Sequence, residues 1–372
     1  MNIIISLLFL IHGMLHIIGY WVAFGKIKPV IFKKKITPTF GYLWLSAGLA
    51  FIFVATVHYF QNETWPGLAI FCILYSQFLI IIFWKDARFG TVLNVILLCI
   101  SIVGFSSFRF YNLYKNDAIA EWRKPMIVSH TITNEDIQNL PKPVQKYMRY
   151  TGCIGKPAVN KVAINLHARM RRNSRSPWME MMCEQQDYIF NSARLFFLRA
   201  NMNGMPVAGY HRYQYGKATM DIRLFSLFKE QYFDGPKMDT SETVTFFNDM
   251  CCFAPASLTD KRINWHYTNG NEVYAGFTNY GITVNAYLQF NDTGELVNFI
   301  SYDRYEINEG KKRPWATLLR EYQNFNGFRL ASFAEAYYQY GSKFEPYGIF
   351  QILNVEYNRK VSYSQNGNSS DD

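Results

Sequence analysis

Four stretches of the chain are apolar at almost every position: 3–24, 41–60, 66–84 and 90–108. None contains Asp, Glu, Lys or Arg, and only His12, His16 and His58 in them titrate near neutral pH. A helix rises 1.5 Å per residue, so runs of this length span the ~30 Å hydrocarbon core of a bilayer. Trp21, Trp65 and Trp84 stand at run ends, where interfacial anchors belong. The pattern predicts four transmembrane helices.

Beyond residue 133 the period changes. Thr133-Asn134-Glu135-Asp136 has the form of a helix start, and 143–152 reads as a helix with Pro143 early and Gly152 as its stop. Val162, Ile164, Leu166 and Ala168 then alternate with Lys161, Asn165, His167 and Arg169. Alternation of this kind predicts a strand at 159–170, and further strands at 179–190, 194–202, 207–215 and 218–228. Asp239 is the expected N-cap of a helix through 243–252, stopped by Pro255. Strands resume at 263–267, 273–278, 282–290 and 296–305, the last two joined through the Asn291-Asp292-Thr293-Gly294 turn. The series closes with 315–322, 330–340 and 349–357.

The expected fold class is therefore α+β, in four parts. Residues 1–108 form a four-helix transmembrane bundle. A juxtamembrane linker at 109–133 is partly helical around 117–123. An extracytoplasmic β-rich domain covers 134–358, and 359–372 is a disordered tail. Ten or more antiparallel strands curl rather than stay flat. The expected shape is a half-barrel with two or three helices on its concave side, its interior lined by Met170, Met181, Phe196, Met220 and Phe225. Methionine and aromatic side chains there suit an adaptable apolar cavity and equally an ordinary core.

Charge bears on topology more than on partners. The net charge is +10, from 38 basic and 28 acidic side chains. The loop between the first two runs carries Lys26, Lys28, Lys33, Lys34 and Lys35. The second loop carries only Glu63, and the third carries Lys85 and Arg88 against Asp86. Positive loops stay cytoplasmic, which places both termini outside and makes this a multi-pass protein of the plasma or inner membrane. The first run has no basic stretch before it and no small-residue cleavage site, so it reads as an anchor rather than a removed signal. No basic stripe with interleaved aromatics occurs, and nucleic acid is not an expected partner.

Candidate chemistry is sparse. His12 and His16 share a helix face with Gly19 and Ala23, a helix-packing seam. Counting depth from the outer face puts Cys99 near His12, and Gln77 and Asn94 near His16. His58 lies much shallower, so a haem bridging His12 and His58 is not favoured. Two readings stand: a hydrogen-bond cluster joining the helices, or a haem, metal, proton or quinone site at His12 and His16. Apart from that alternative no cofactor is expected. In the β-rich domain the polar candidates are Asp303, Arg304 and Glu321, with one of the first two paired to Glu321 across strands. Met181, Met220 and Phe225 are the apolar candidates. No nucleophile elbow, P-loop, dinucleotide fingerprint or zinc-protease motif occurs. The six cysteines contain no Cys-x-x-Cys pair, and disulfides or free thiols both remain open.

Residues His12-Gly13-Met14-Leu15-His16-Ile17-Ile18-Gly19-Tyr20 resemble the opening of a bacterial family of membrane proteins of unknown function. The likeness continues through Leu140-Pro-x-Pro-Val-Gln-x-Tyr-x-Arg149-Tyr-x-Gly152, Trp265, 294–299, Asp303-Arg304-Tyr305, Pro314-Trp315, Glu321-Tyr322, Asn326-Gly327 and 355–358. It implies the architecture and no particular activity. At fold level the outer domain resembles periplasmic lipoprotein carriers, whose half-barrel holds acyl chains under a helical lid. The expected function is binding of a lipid or other hydrophobic ligand at the membrane surface, with membrane lipids as partners. The alternatives are a membrane redox or proton-handling protein built on the intramembrane histidines, and an envelope-lipid hydrolase or transferase.

Overall fold

The computed structural model describes residues 2–27, 35–124, 130–202, 204–307 and 309–358. The chain divides into two compact units, Met1–Phe110 and Tyr111–Asp372. Lys28, Lys33 and Lys34 of the first loop, 125–129 of the expected linker and the 359–372 tail lie outside the described residues.

The first unit contains α1 (Asn2–Ala23), α2 (Pro38–Tyr59), α3 (Trp65–Ile82), the one-turn α4 (Trp84–Ala87) and the start of α5 (Gly90–Arg123). Of these, α1, α2, α3 and α5 are long and apolar enough to cross a membrane. Helix α2 starts earlier than its apolar run because Thr37 caps it and Pro38 takes its first position, where no N–H is needed. The seam between α1 and α2 is as close as backbones allow. A Cβ placed on Gly13 would lie 2.8 Å from the Gly48 carbonyl, and one on Gly48 2.8 Å from the Gly13 carbonyl. Further along, a Cβ on Gly19 would meet the Trp44 ring at 2.6 Å. Small residues permit this approach, and in lipid such packing is what joins helices. Ile4, Leu7, Ile11 and Leu15 of α1, and Phe71, Leu74, Phe78 and Ile81 of α3, are exposed, a surface suited to hydrocarbon.

Helix α5 departs from expectation. It does not give way to a linker at 109 but continues to Arg123. Tyr114, Ala118 and Glu121 explain why. They recur at helical spacing and are all buried, so the extension has a face to pack.

The second unit is built on one 13-stranded antiparallel sheet. Its strands are β1 (Lys161–Met170), β2 (Met179–Tyr188), β3 (Ala193–Met202), β4 (Met205–Gln214), β5 (Lys217–Leu224), β6 (Phe228–Phe233), β7 (Ile263–Asn269), β8 (Glu272–Asn279), β9 (Ile282–Phe290), β10 (Leu296–Ser301), β13 (Trp315–Phe325), β14 (Phe328–Tyr340) and β15 (Lys343–Tyr357). A separate two-residue ladder joins β11 (Tyr305–Glu306) and β12 (Lys311–Lys312). The order is β6-β5-β4-β3-β2-β1-β15-β14-β13-β10-β9-β8-β7, so two meanders meet where β1 pairs with β15. Two short helices, α6 (Asn134–Ile137) and α7 (Lys142–Tyr150), precede the sheet, and α8 (Pro236–Phe253) links its halves. Thr133 and Asp136 close a capping box on α6.

One face of the sheet is apolar and holds α8. Every residue of this helix from Met238 to Cys252 is buried except Thr240. It packs against β4, β5, β9, β10 and β14. Tyr147 of α7 donates to the Cys251 carbonyl at 2.7 Å and ties the second helix to it. The opposite face receives the end of α5. Tyr111 donates to Glu184 (2.6 Å), Tyr210 to Asp117 (2.8 Å), Gln214 to Glu121 (2.7 Å) and Tyr188 to the Ala118 carbonyl (2.8 Å).

Three local expectations change. The 218–228 segment is not one strand but the hairpin β5–β6, reversed at Phe225 and Ser226 in left-handed conformation (φ 53° and 56°). Asp239 is not an N-cap. Gly235 precedes the helix with φ 85°, and buried Asp239 accepts from the Ala218 amide (2.7 Å) and pairs with Lys217 (2.9 Å). The 296–305 strand ends at Ser301, leaving Asp303 and Arg304 in a loop.

Candidate functional site

Alternation in β1–β5 sends one set of side chains towards α8, and these form rows across the sheet. One row is Met220–His211–Phe196–Gln185–Ile164–Val355. The adjoining row, Val162–Asp187–Arg194–Tyr213–Ala218, carries charge where it meets α8. Arg194 donates through Nε to Asp249 Oδ2 at 2.6 Å, and its NH1 lies 3.3 Å from Glu242 Oε2. Gln185 Nε2 donates to Asp187 Oδ2 and Asp249 Oδ2, each at 2.8 Å. Arg304 approaches Glu242 from the other side at 3.7 Å and donates to the Ser241 carbonyl (2.8 Å), Thr245 Oγ1 and Tyr338 OH (3.1 Å).

The electrostatics follow from burial and pairing. Burial raises the Glu242 carboxyl, but Arg194 and Arg304 outweigh it and hold Glu242 below its ordinary value. Burial dominates at Asp187 and Asp249, and the nearby carboxylates add to it at Asp187. Both are raised. Asp187 Oδ1 has no hydrogen-bond partner among the described residues. Burial brings His211 down to about 4, so its imidazole is neutral at physiological pH. These carboxyls converge as an acid–base site would require, but α8 seals them from any cleft.

The sequence-derived candidates are only partly brought together. Asp303 accepts from the Asn285 amide (2.8 Å) and pairs with Lys312 (2.9 Å). Glu321 pairs with neither Asp303 nor Arg304. It is an exposed residue with φ 59°, opposite Ser332, whose hydroxyl donates to the Glu321 carbonyl at 2.7 Å. The true partner of Arg304 is Glu242, which alternation rules for strands had no means to flag because it sits on a helix. Phe225 lies in the β5–β6 turn and lines no interior. Met181 and Met220 face the α8 side, but two rows apart.

A different arrangement emerges around Met181. The row Val207–Ala200–Met181–Ala168–Phe350–Ala334–Leu319 runs unbroken through seven strands. Beyond it, at the strand ends, Met170 pairs with Met179 and Met202 with Met205. Met181 and Ala168 are buried. Met170, Met179, Met205, Ala200, Phe350 and Ala334 are half-buried, and Met202 is 41% exposed. A continuous apolar row, flanked at the strand ends by methionines, thus runs across seven strands on the face that also holds α8.

In the first unit a hydrogen-bond cluster contains His12, His16, Asn94 and Gln77. His12 Nε2 lies 2.8 Å from Asn94 Oδ1, and His16 Nε2 lies 2.8 Å from Ser76 Oγ. Asn94 donates to Ser76 Oγ and Gln77 Oε1 at 3.0 Å, and Gln77 donates to Thr91 at 3.1 Å. Ser76 and Thr91 are additions to the cluster, since a hydroxyl in an apolar run gives no distinctive signal. Cys99 is not a member: it is exposed on its helix. His58 forms a separate group, with Nδ1 2.7 Å from Ser6 Oγ and its ring against Phe9 and Trp65. All six cysteines are free.

Among solved structures, the chain is similar to a DUF1329 family protein from Desulfovibrio piger, with 9% identity over 59% of this chain and 93% of the other at a TM-score of 0.34. It is also similar to a LolA superfamily protein from Nitrosomonas europaea, with 9% identity over 58% of this chain and 94% of the other at a TM-score of 0.30. A comparison with curated proteins finds no match. Residues 130–350 match the model described as a family of unknown function (DUF6544), and since this is more than half of the chain, the protein belongs to that family.

Proposed function

We propose that the apolar row of the second unit forms a methionine-rimmed trough that holds the acyl part of a lipid, in a protein anchored by four membrane spans with that unit outside the cytoplasm. The observation that carries this reading is the apolar row from Val207 to Leu319. Seven strands contribute only apolar side chains to one continuous row, and the adjoining rim is methionine. Unbranched, polarizable methionine adapts to chains of varied shape. Each methylene withdrawn from water contributes about 0.8 kcal/mol, so an acyl chain needs no charged contact to bind. His211 supports a role at the polar end of the ligand: burial keeps it neutral, it is half-buried, and Phe196 and Met220 flank it in register. The lysines of the loop between α1 and α2 support the orientation.

The test is native mass spectrometry of the full-length protein in mild detergent, with and without Ala200→Trp. The indole would fill the trough. Wild type should retain an acyl lipid through detergent exchange, and the variant should lose it while melting at an unchanged temperature. Equal lipid on both proteins, or none on wild type, would refute the reading.

A further inference from the structure

In an antiparallel meander every second turn falls at the same end of the sheet. The β5–β6 turn, the β3–β4 turn, the β1–β2 loop and the β14–β15 turn are therefore neighbours along one border, in that order. Backbone hydrogen bonds tie neighbours together. The Phe225 amide donates to the Pro206 carbonyl at 2.8 Å, and the Arg171 amide to the Tyr347 carbonyl at 3.0 Å. Arg171 also donates through Nε to the Pro346 carbonyl (2.8 Å) and lies over the Trp178 ring at 4.5 Å, which holds the β1–β2 loop against β15.

The side chains on this border are not those water favours. Hairpin turns are ordinarily built from Gly, Pro, Asn, Asp and Ser. Here Phe228 is 63% and Phe344 59% exposed, and Leu227 and Met202 are exposed as well. Apolar groups left in solvent together mark an interaction surface.

The charge is of one sign. Segments 171–178, 202–205, 225–229 and 340–344 contain Arg171, Arg172, Arg175, Lys229 and Lys343, and no Asp or Glu. Arg172, Arg175, Lys229 and Lys343 are exposed. Glu180, the first carboxylate after the β1–β2 loop, is taken by His167 (2.9 Å) and Arg169 (4.0 Å) from β1. Apolar side chains for the acyl boundary and cations for phosphate groups are the two components of binding to an anionic bilayer surface. A folded protein partner would require a close-packed complementary face, whereas separate tips can enter between headgroups one by one.

We infer that this border of hairpin tips docks on the surface of an anionic lipid bilayer, with Phe228 and Phe344 entering the interface and Arg172, Arg175 and Lys343 pairing with phosphates. The inference goes beyond acyl binding by the second unit and does not depend on it, since a bilayer can be held from outside whether or not a lipid leaves it. The Met170–Met179 and Met202–Met205 pairs stand at the same border.

The test uses the full-length protein in nanodiscs, carrying Cys99→Ser and a nitrobenzoxadiazole dye on Ser342→Cys, an exposed turn position. In one arm the disc itself contains phosphatidylglycerol and a nitroxide lipid. In the other the disc is phosphatidylcholine, and the phosphatidylglycerol and nitroxide lipid are in added vesicles. The dye should be quenched in at least one arm, and the arm tells whether the bilayer is the protein's own or a facing one. Replacing phosphatidylglycerol with phosphatidylcholine, or adding about 0.5 M salt, should largely remove the quenching. Arg172→Glu with Arg175→Glu, and Phe228→Ser with Phe344→Ser, should each weaken it by about 10-fold or more at an unchanged melting temperature. The dependence on lipid and salt decides the matter even if a variant fails to fold. A dye quenched in neither arm, equal quenching by phosphatidylcholine, or quenching that persists in either folded double variant would each overturn the inference. Acyl lipid lost from Ala200→Trp bears on the trough alone, and quenching at residue 342 bears on the tips alone.

Discussion

Arg194 on β3 and Asp249 on α8 form a 2.6 Å ion pair with both side chains buried, and this pair fastens the helix to the concave face of the sheet. Glu242, about two helical turns before Asp249, uses the same guanidinium. Removing the cation strands both carboxylates in the interior. Arg194→Met should therefore cost about 3–5 kcal/mol, whereas surface substitutions stay within about 0.5 kcal/mol. Chemical denaturation of wild type and variant measures the difference.

The contrast between Arg304 and Glu321 gives a second expectation. Arg304 is buried against Glu242, Tyr338 and the Ser241 carbonyl, while the Glu321 side chain reaches solvent. Arg304→Leu should destabilise the protein by several kcal/mol, by the same mechanism. Glu321→Ala should change stability by no more than about 0.5 kcal/mol. Equal effects in thermal melts would show that the Arg304–Glu242 contact does not form.

Asp187 and Asp249 make stability depend on pH in an unusual direction. Their carboxyls are raised in the folded protein, so over the window between the ordinary carboxylate value and the raised one, the folded chain binds more protons than the unfolded chain. Stability contributed by these groups is complete below the ordinary value and falls as pH rises through the raised one. Glu242 acts oppositely: it is lowered when folded, so its contribution is present above the ordinary value and lost as pH falls through the lowered one. Denaturation midpoints measured across pH should flatten on the alkaline side for Asp187→Asn. An unchanged slope would place the proton elsewhere.

The helix seam predicts a steric effect. Gly48→Leu would drive a side chain against the Gly13 carbonyl and Ile17. Overpacking of this kind costs about 1–3 kcal/mol. A lowered melting temperature in detergent, with Gly67→Ala as the control where no atom lies within 4 Å, checks it.

The parts of this structure legible in sequence are those with a period. The four long apolar helices showed through hydropathy, and β9 through strict alternation between Ile282 and Phe290. The β5–β6 reversal was hidden because Phe225 and Ser226 adopt the left-handed conformation without glycine or proline. Helix α8 was found, but its surroundings were not. It is buried on nearly all sides, so its polar residues Asp239, Glu242, Asn248 and Asp249 face protein partners rather than water. The half of the histidine cluster supplied by Asn94 and Gln77 followed from depth counting. The half supplied by Ser76 did not, because helix rotation decides which hydroxyl turns inward.

The pairing of β1 with β15 has a consequence for how the chain acquires this shape. Val162 lies opposite Tyr357, nearly two hundred residues later. While the ribosome is still making the protein, β1 has its hairpin partner β2 on one flank and nothing on the other. The first meander therefore waits with an open, hydrogen-bonding border until the final strand arrives. Contacts this distant in sequence form slowly. A stop codon before residue 343 would leave both meanders without their common centre, and such a product should be cleared by quality control rather than accumulate as a shortened but working protein.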